Sequence, residues 1–144
     1  MKNLHPNNIF VRNDDPADVL ITDVGFADIP GIEPSLEMQA QFVAPELQEC
    51  NDAHEINRVV SKNPGAADLW SLGKIALLLS TGSTDMDIQL AGNQVGSDLA
   101  DFIQQCLLPK PHDRLSPKTL LHHVLFDPRY IEKRRAVHEM DPYV

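Results

Sequence analysis

Ala66-Ala67-Asp68-Leu69-Trp70-Ser71-Leu72-Gly73-Lys74-Ile75-Ala76-Leu77-Leu78-Leu79-Ser80-Thr81-Gly82 is the stretch that decides the fold. Over residues 66–80 it predicts a helix with apolar side chains on nearly all sides, and such a helix belongs in the middle of a protein. Gly82 ends it, because glycine takes the left-handed conformation that closes a helix without a Cβ penalty. The 144 residues amount to one ordinary domain. A chain of that size buries roughly 68–70% of its unfolded surface, enough to shelter the helix.

Outward from this helix the elements are short. Ile9-Phe10-Val11 and Val19-Leu20-Ile21-Thr22 flank the turn cluster Arg12-Asn13-Asp14-Asp15-Pro16. Two β-rich runs around such a turn predict a small hairpin. Residues 25–41 have no period and are broken by Pro30, Gly31 and Pro34, so they read as a loop. Ala44-Pro45-Glu46-Leu47-Gln48 opens a helix, with proline where no amide donor is needed. Asn51 to Asn63 is polar and reads as an excursion. Ser97-Asp98 are expected to cap a second helix with Leu99, Phe102, Ile103, Cys106 and Leu107 on one face, ended by Pro109 and Pro111. Ser116-Pro117 starts a third over 118–124, and Asp127-Pro128 starts a tail helix ending near Met140. No internal repeat is visible.

Composition narrows the class. With 42% hydrophobic and 23% charged residues the chain is globular. A net charge of −9 argues against a nucleic-acid footprint, which needs clustered Lys and Arg. Cys50 and Cys106 form no CxxC pair and read as two buried thiols of a reducing compartment. No apolar run approaches the ~20 residues of a membrane span, and Met1-Lys2-Asn3-Leu4-His5-Pro6 lacks the apolar core of a signal peptide. The expected location is intracellular, in the cytoplasm.

Five blocks, in order, carry a resemblance. Asn3-Leu4-His5-Pro6-Asn7-Asn8-Ile9 resembles the catalytic loop of eukaryotic protein kinases, D-L-K-P-x-N-I. Thr22-Asp23-Val24-Gly25-Phe26-Ala27 resembles the DFG segment, and Phe42-Val43-Ala44-Pro45-Glu46 resembles Y-x-A-P-E. Asp68-Leu69-Trp70-Ser71-Leu72-Gly73 resembles the D-V-W-S-L-G of the central lobe helix. Pro111-His112-Asp113-Arg114-Leu115 with Leu120-Leu121-His122-His123 resembles the P-x-x-R…L-L-x-H ending. Together they span about residues 2–126, and the wording Asn8-Ile9-Phe10 is reminiscent of NIMA-related kinases.

The resemblance implies a fold: mainly α, a protein kinase C-lobe-like helical domain with one small β-hairpin, the N-lobe absent. Residues 1–126 would be the partial kinase-like domain and 127–144 a C-terminal tail helix. It also assigns roles. Asn8 and Asp23 fall where kinases hold magnesium against the phosphates. Glu46 would form a buried ion pair with Arg114, Asp68 would hold the catalytic-loop backbone, and Trp70 would pack beside it.

The catalytic positions depart from the pattern. The base that accepts the substrate proton is replaced by Asn3, and a neutral amide takes up no proton near pH 7. General base catalysis is commonly worth ~10²–10⁴ in rate. The lysine that contacts the transferred phosphate is replaced by His5, and the threonine that bonds both is replaced by Gln39. The Gly-rich loop, the V-A-I-K lysine and its glutamate partner are not in the chain. The expected function is therefore a pseudokinase-type interaction or regulatory scaffold with no functional catalytic residue. Its rivals are an active Ser/Thr kinase completed by an N-lobe, and a sensor that binds Mg-ATP through Asn8 and Asp23 without turnover. No cofactor is expected on this chain alone, and Mg-ATP if an N-lobe completes it.

Other residues carry plainer readings. Asp23 is also an ordinary turn aspartate. His122 and His123, adjacent on a helix, point apart and make no metal pair. Ser35 is the sole hydroxyl between Asp23 and Glu46, and Lys133-Arg134-Arg135 reads as a solvated helix face. The stretch from Glu46 to Asp68 is longer than is usual in kinases, and that from Gly82 to Ser97 is short. Without a preceding helix, the Leu77-Leu78-Leu79 side of the central helix is expected to be partly bare. A protein partner covering it is expected, with neither nucleic acid nor membrane as a partner.

Overall fold

The computed structural model describes residues 4–12, 15–22, 40–88 and 95–140. Two strands, Ile9–Arg12 (β1) and Asp15–Ile21 (β2), are followed by helices Pro45–Gln48 (α1), Ala53–Lys62 (α2), Ala66–Thr81 (α3), Ser97–Cys106 (α4), Pro117–Leu120 (α5) and Pro128–Met140 (α6). Short 3-10 turns lie at Pro6–Asn8 and Val124–Phe126. Among the described residues the architecture is mainly helical with a single antiparallel hairpin, as the sequence predicts. The hairpin pairs Ile9 with Ile21, Phe10 with Leu20 and Val11 with Val19, then shifts register before Arg12 meets Asp15. Strand β2 thus begins inside the expected turn cluster, whose residues 13 and 14 lie outside the described residues.

The all-round apolar character of α3 has a direct cause: two clusters pack against it. Leu69 and Leu77 join Val95, Phe102, Ile103, Cys106 and Leu120 on the side of α4. Ile75 joins Leu4 and Phe42 on the side of the hairpin, and Leu72 touches both clusters. Glycines with φ of 81° and 76°, Gly65 and Gly82, bracket the helix. The expected bare stripe shrinks accordingly. Leu77 is buried and Leu78 half-buried, whereas Leu79 is 82% exposed.

Several boundaries differ from the sequence expectation. The polar excursion at 51–63 contains the ten-residue helix α2. Asp52 caps it by accepting from the Glu55 amide at 2.8 Å, and the Glu55 carboxylate accepts from the Asn51 amide at 2.9 Å. Together the two bonds satisfy the amides of Glu55 and Asn51 at the start of the helix. Ser97 is the first helical residue of α4 and not its cap; Gly96, with φ of 85°, precedes it. The third helix is one turn long, Pro117–Leu120, capped by Ser116 accepting from the Thr119 amide at 3.1 Å. His122 and His123 lie in the turn after it, and the His123 ring caps the following 3-10 turn by accepting from Leu125. The reading of residues 25–41 as a loop falls mostly outside the described residues.

Helices α3 and α4 approach most closely at Gly73. A Cβ there would stand 2.7 Å from Cys106 Cβ and 2.9 Å from Leu107 Cδ2. Gly73→Ala should therefore overpack the crossing and destabilise the chain by about 1–3 kcal/mol, read as a lower urea midpoint. An unchanged midpoint would show that the two helices do not meet there.

Candidate functional site

Arg114 follows the turn at Pro111–Asp113 and enters the interior just before α5. Its side chain is fully buried against Glu46, which stands in the first turn of α1. The guanidinium forks onto the carboxylate, Nη1 to Oε1 at 2.7 Å and Nη2 to Oε2 at 2.9 Å. Nη1 also donates to Ala66 O at 2.9 Å, Nη2 to Pro109 O at 3.2 Å and Nε to Leu108 O at 2.7 Å. An arginine has five N–H donors, and all five are used. The Trp70 ring stacks on the same group, its centroid 5.0 Å from Cζ, and Lys74 Nζ lies 5.7 Å from that centroid. Such cation–π contacts are attractive, more so where the cation is desolvated. The indole Nε1 is buried and has no hydrogen-bond partner among the described residues.

The segment leading into α1 is tied to α3 by polar contacts. Ser71 Oγ donates to Phe42 O at 2.7 Å. Gln48 Nε2 donates to Val43 O at 2.9 Å, and Thr84 Oγ1 donates to Gln41 Oε1 at 2.9 Å. Lys74 Nζ reaches Thr84 O at 2.7 Å. Ser71 and the carbonyls of Ala66, Leu108 and Pro109 do not stand out in the sequence. Backbone acceptors carry no residue signature, and the one available signal for Ser71 was its place after Trp70.

At the other side of α3, His5 and Asn8 are both buried, and the Asn8 amide donates to His5 O at 2.9 Å across the 3-10 turn. Asn8 O in turn accepts from the Thr22 amide at 2.9 Å. The position after Asn8 therefore begins β1 while the residue before Asp23 is held beside it. Asp23 itself, with Asn3 and Gln39, lies outside the described residues. His5 Nε2 is buried with no hydrogen-bond partner among the described residues, and burial lowers the pKa of the ring. Asp68 is half-buried in the first turn of α3, where burial raises its carboxyl. Among the described residues no three His, Cys, Asp or Glu side chains gather as a metal cluster. Toward magnesium the described residues supply the Asn8 amide but not the carboxylates such a site needs. The two thiols differ: Cys106 is buried and pushed up to about 12 by desolvation, whereas Cys50 is half-buried and donates to Glu46 O at 3.4 Å.

Truncating Glu46 leaves the Arg114 charge buried and unpaired, so Glu46→Ala should cost about 3–5 kcal/mol in chemical denaturation. Arg114→Lys should not restore stability, since three donors on a flexible stem cannot serve the fork and three carbonyls. Full stability of the lysine variant would refute the fivefold bonding. For His5, the folded pKa lies below the usual ~6.5, so the folded chain binds fewer protons than the unfolded one between the two values. The stability tied to this ring is present above ~6.5 and lost as pH falls through the folded value. The melting temperature of the natural chain should drop more between pH 8 and pH 5 than that of His5→Gln, and parallel pH profiles would contradict it.

No protein-family profile matches the chain, and no solved structure does. Curated relatives do match. Serine/threonine-protein kinase ATG1c of Arabidopsis thaliana is 27% identical over 169 residues, covering 99% of this chain and 22% of that protein. ATG1b of the same plant is 29% identical, covering 85% of this chain and 19% of that protein. Serine/threonine-protein kinase RAD53 of Saccharomyces cerevisiae is 25% identical, with coverage of 85% and 18%. The chain spans about a fifth of the length of these relatives. No helix among the described residues is long and apolar enough to cross a membrane. These similarities, with the helical fold they accompany, support a protein kinase-like superfamily for this chain.

Proposed function

We propose that this protein kinase-like chain is of the pseudokinase type, a C-lobe-like scaffold that organises other proteins in the cytoplasm and transfers no phosphate. The observation that carries this reading is a contrast between two neighbouring regions. The Glu46–Arg114 pair is bonded to completion and stacked on Trp70. The catalytic-loop position that would carry a lysine is occupied by a buried His5 held toward its neutral form. A neutral ring brings no cation to a transferred phosphate, and phosphoryl transfer rests on positioning and charge stabilisation. Asn3 removes the base from the same loop, and Gln39 removes the hydroxyl that would have joined the two. The exposed Leu79 on α3 is a place where a protein partner would bury apolar surface.

A second reading has its own support. The matching relatives bear the names of serine/threonine-protein kinases, and the backbone bond from Thr22 to Asn8 sets Asn8 beside the start of the DFG-like segment. Completed by an N-lobe, the chain would then bind Mg-ATP through Asn8 and Asp23, with or without turnover. One assay separates the two. The longest natural transcript product is incubated with Mg-ATP and a generic protein substrate, beside its Asn3→Asp variant. The scaffold reading expects no transfer above background from the natural protein. Robust transfer with Asn3 in place would reject it.

A further inference from the structure

Eleven prolines stand in the sequence, and Pro117 is the one that follows a serine or threonine. Ser116 has the extended backbone that a following proline imposes, with φ of −67° and ψ of 153°. Residues 116–119 are all exposed. The helix they open, α5, is a single turn, and so short a helix holds little stability of its own. The segment can therefore open to enter another enzyme's cleft. The Ser116 hydroxyl is engaged by Thr119: Oγ accepts from the Thr119 amide at 3.1 Å and lies 2.7 Å from Thr119 Oγ1. Both bonds are made at the surface, so neither shields the oxygen.

The surroundings of Ser116 suit an added anion. A concavity of about 200 Å³ opens beside it, lined also by Lys62, Asn63, Pro64 and His112, and no carboxylate lines it. That is several times the ~30 Å³ share of one water, room enough for a phosphate group. The turn after α2 packs tightly on the start of α5: a Cβ on Gly65 would stand 2.5 Å from Pro117 Cγ. The cations at this concavity differ in what they have to offer. Arg114 spends every donor within the fold, and His112 faces Asp113 at 3.5 Å. Lys62, exposed in the last turn of α2, makes no ion pair among the described residues. A phosphoserine carries about −1.5 to −2 charge and three strong acceptor oxygens. Unmodified Ser116 already caps α5, and phosphate leaves that role intact, because its oxygens still accept from the Thr119 amide.

We propose that Ser116 is a phosphate acceptor for a separate, proline-directed protein kinase, and that the phosphate it gains is held by Lys62. Ser116 Oγ forms the new bond to phosphorus, and the bond between the γ-phosphorus of ATP and its bridging oxygen breaks. ADP leaves, and the hydroxyl proton passes to the base of the modifying enzyme. The phosphate joins the end of α2 to the start of α5 by a charge-assisted contact. None of the catalytic-loop positions takes part, so the site stands whether or not this chain itself transfers phosphate. The test incubates the full chain with a purified cyclin-dependent kinase and ATP, and maps the phosphate by tandem mass spectrometry. Phosphate is expected on Ser116 and not in Ser116→Asn, a variant that keeps a good cap. Pro117→Ala should gain phosphate about tenfold more slowly or worse. The phosphorylated chain should melt a few degrees above the unmodified one, and Lys62→Met should accept phosphate without that rise. No phosphate on Ser116, or an equal rate without Pro117, would overturn the proposed acceptor. A rise unchanged in Lys62→Met would overturn the role given to the lysine.

Discussion

A buried guanidinium must find a partner for every N–H it carries, and in this chain that requirement ties Arg114 to three segments. Arg114 takes a carboxylate from α1, a carbonyl from the first residue of α3 and two carbonyls from the exit of α4. The bonding is closed: no donor is left to meet a ligand, so Arg114 acts on structure alone. Glu46 answers with both oxygens and little exposure, and Trp70 covers the flat face of the cation. The pair is costly to desolvate and strongly destabilising to break, so its value is in fixing one arrangement of these segments.

The second constraint is the two-sided burial of α3. One side meets α4 closely enough that only glycine fits at position 73, and the other meets Leu4, Phe42 and, at the edge, Ile9. The catalytic-loop region is therefore docked by apolar contact through Leu4 and by backbone bonds through Asn8 and Thr22. Neither kind of contact depends on which side chain occupies the position of the base.

How much of this could be read from the residues depends on the kind of force involved. The central helix, the hairpin and the tail helix were legible because apolar periodicity and Gly or Pro punctuation report burial and chain reversal directly. Helix α2 was missed because its signal is a local cap, Asp52 on the Glu55 amide and Glu55 on the Asn51 amide, inside a stretch whose average is polar. The third helix was expected over 118–124 from its cap and proline, which mark where a helix starts and not where it stops; it ends at Leu120, and His123 caps a new turn. The meeting of Glu46 with Arg114, 68 residues apart, has no local signature and came only with the ordered motifs. The three carbonyls that complete it are backbone groups and are invisible to any reading of side chains. Asn3, Asp23 and Gln39 lie outside the described residues, so the departures at those positions rest on the sequence.

His5 joins these constraints to the functional reading. Its position is nearly closed to water, and its Nε2 meets no acceptor or donor among the described residues. A lysine there, with no phosphate to face, would be an ammonium stranded in a desolvated pocket, the costliest group to bury unpaired. Histidine resolves the conflict because it can shed its proton within the physiological range, and burial pushes it in that direction. In a loop that still handled phosphate, the anion would stabilise the lysine. In a loop that does not, the same burial favours a side chain able to be neutral. On the scaffold reading proposed above, a side chain able to be neutral is what the burial of this position favours.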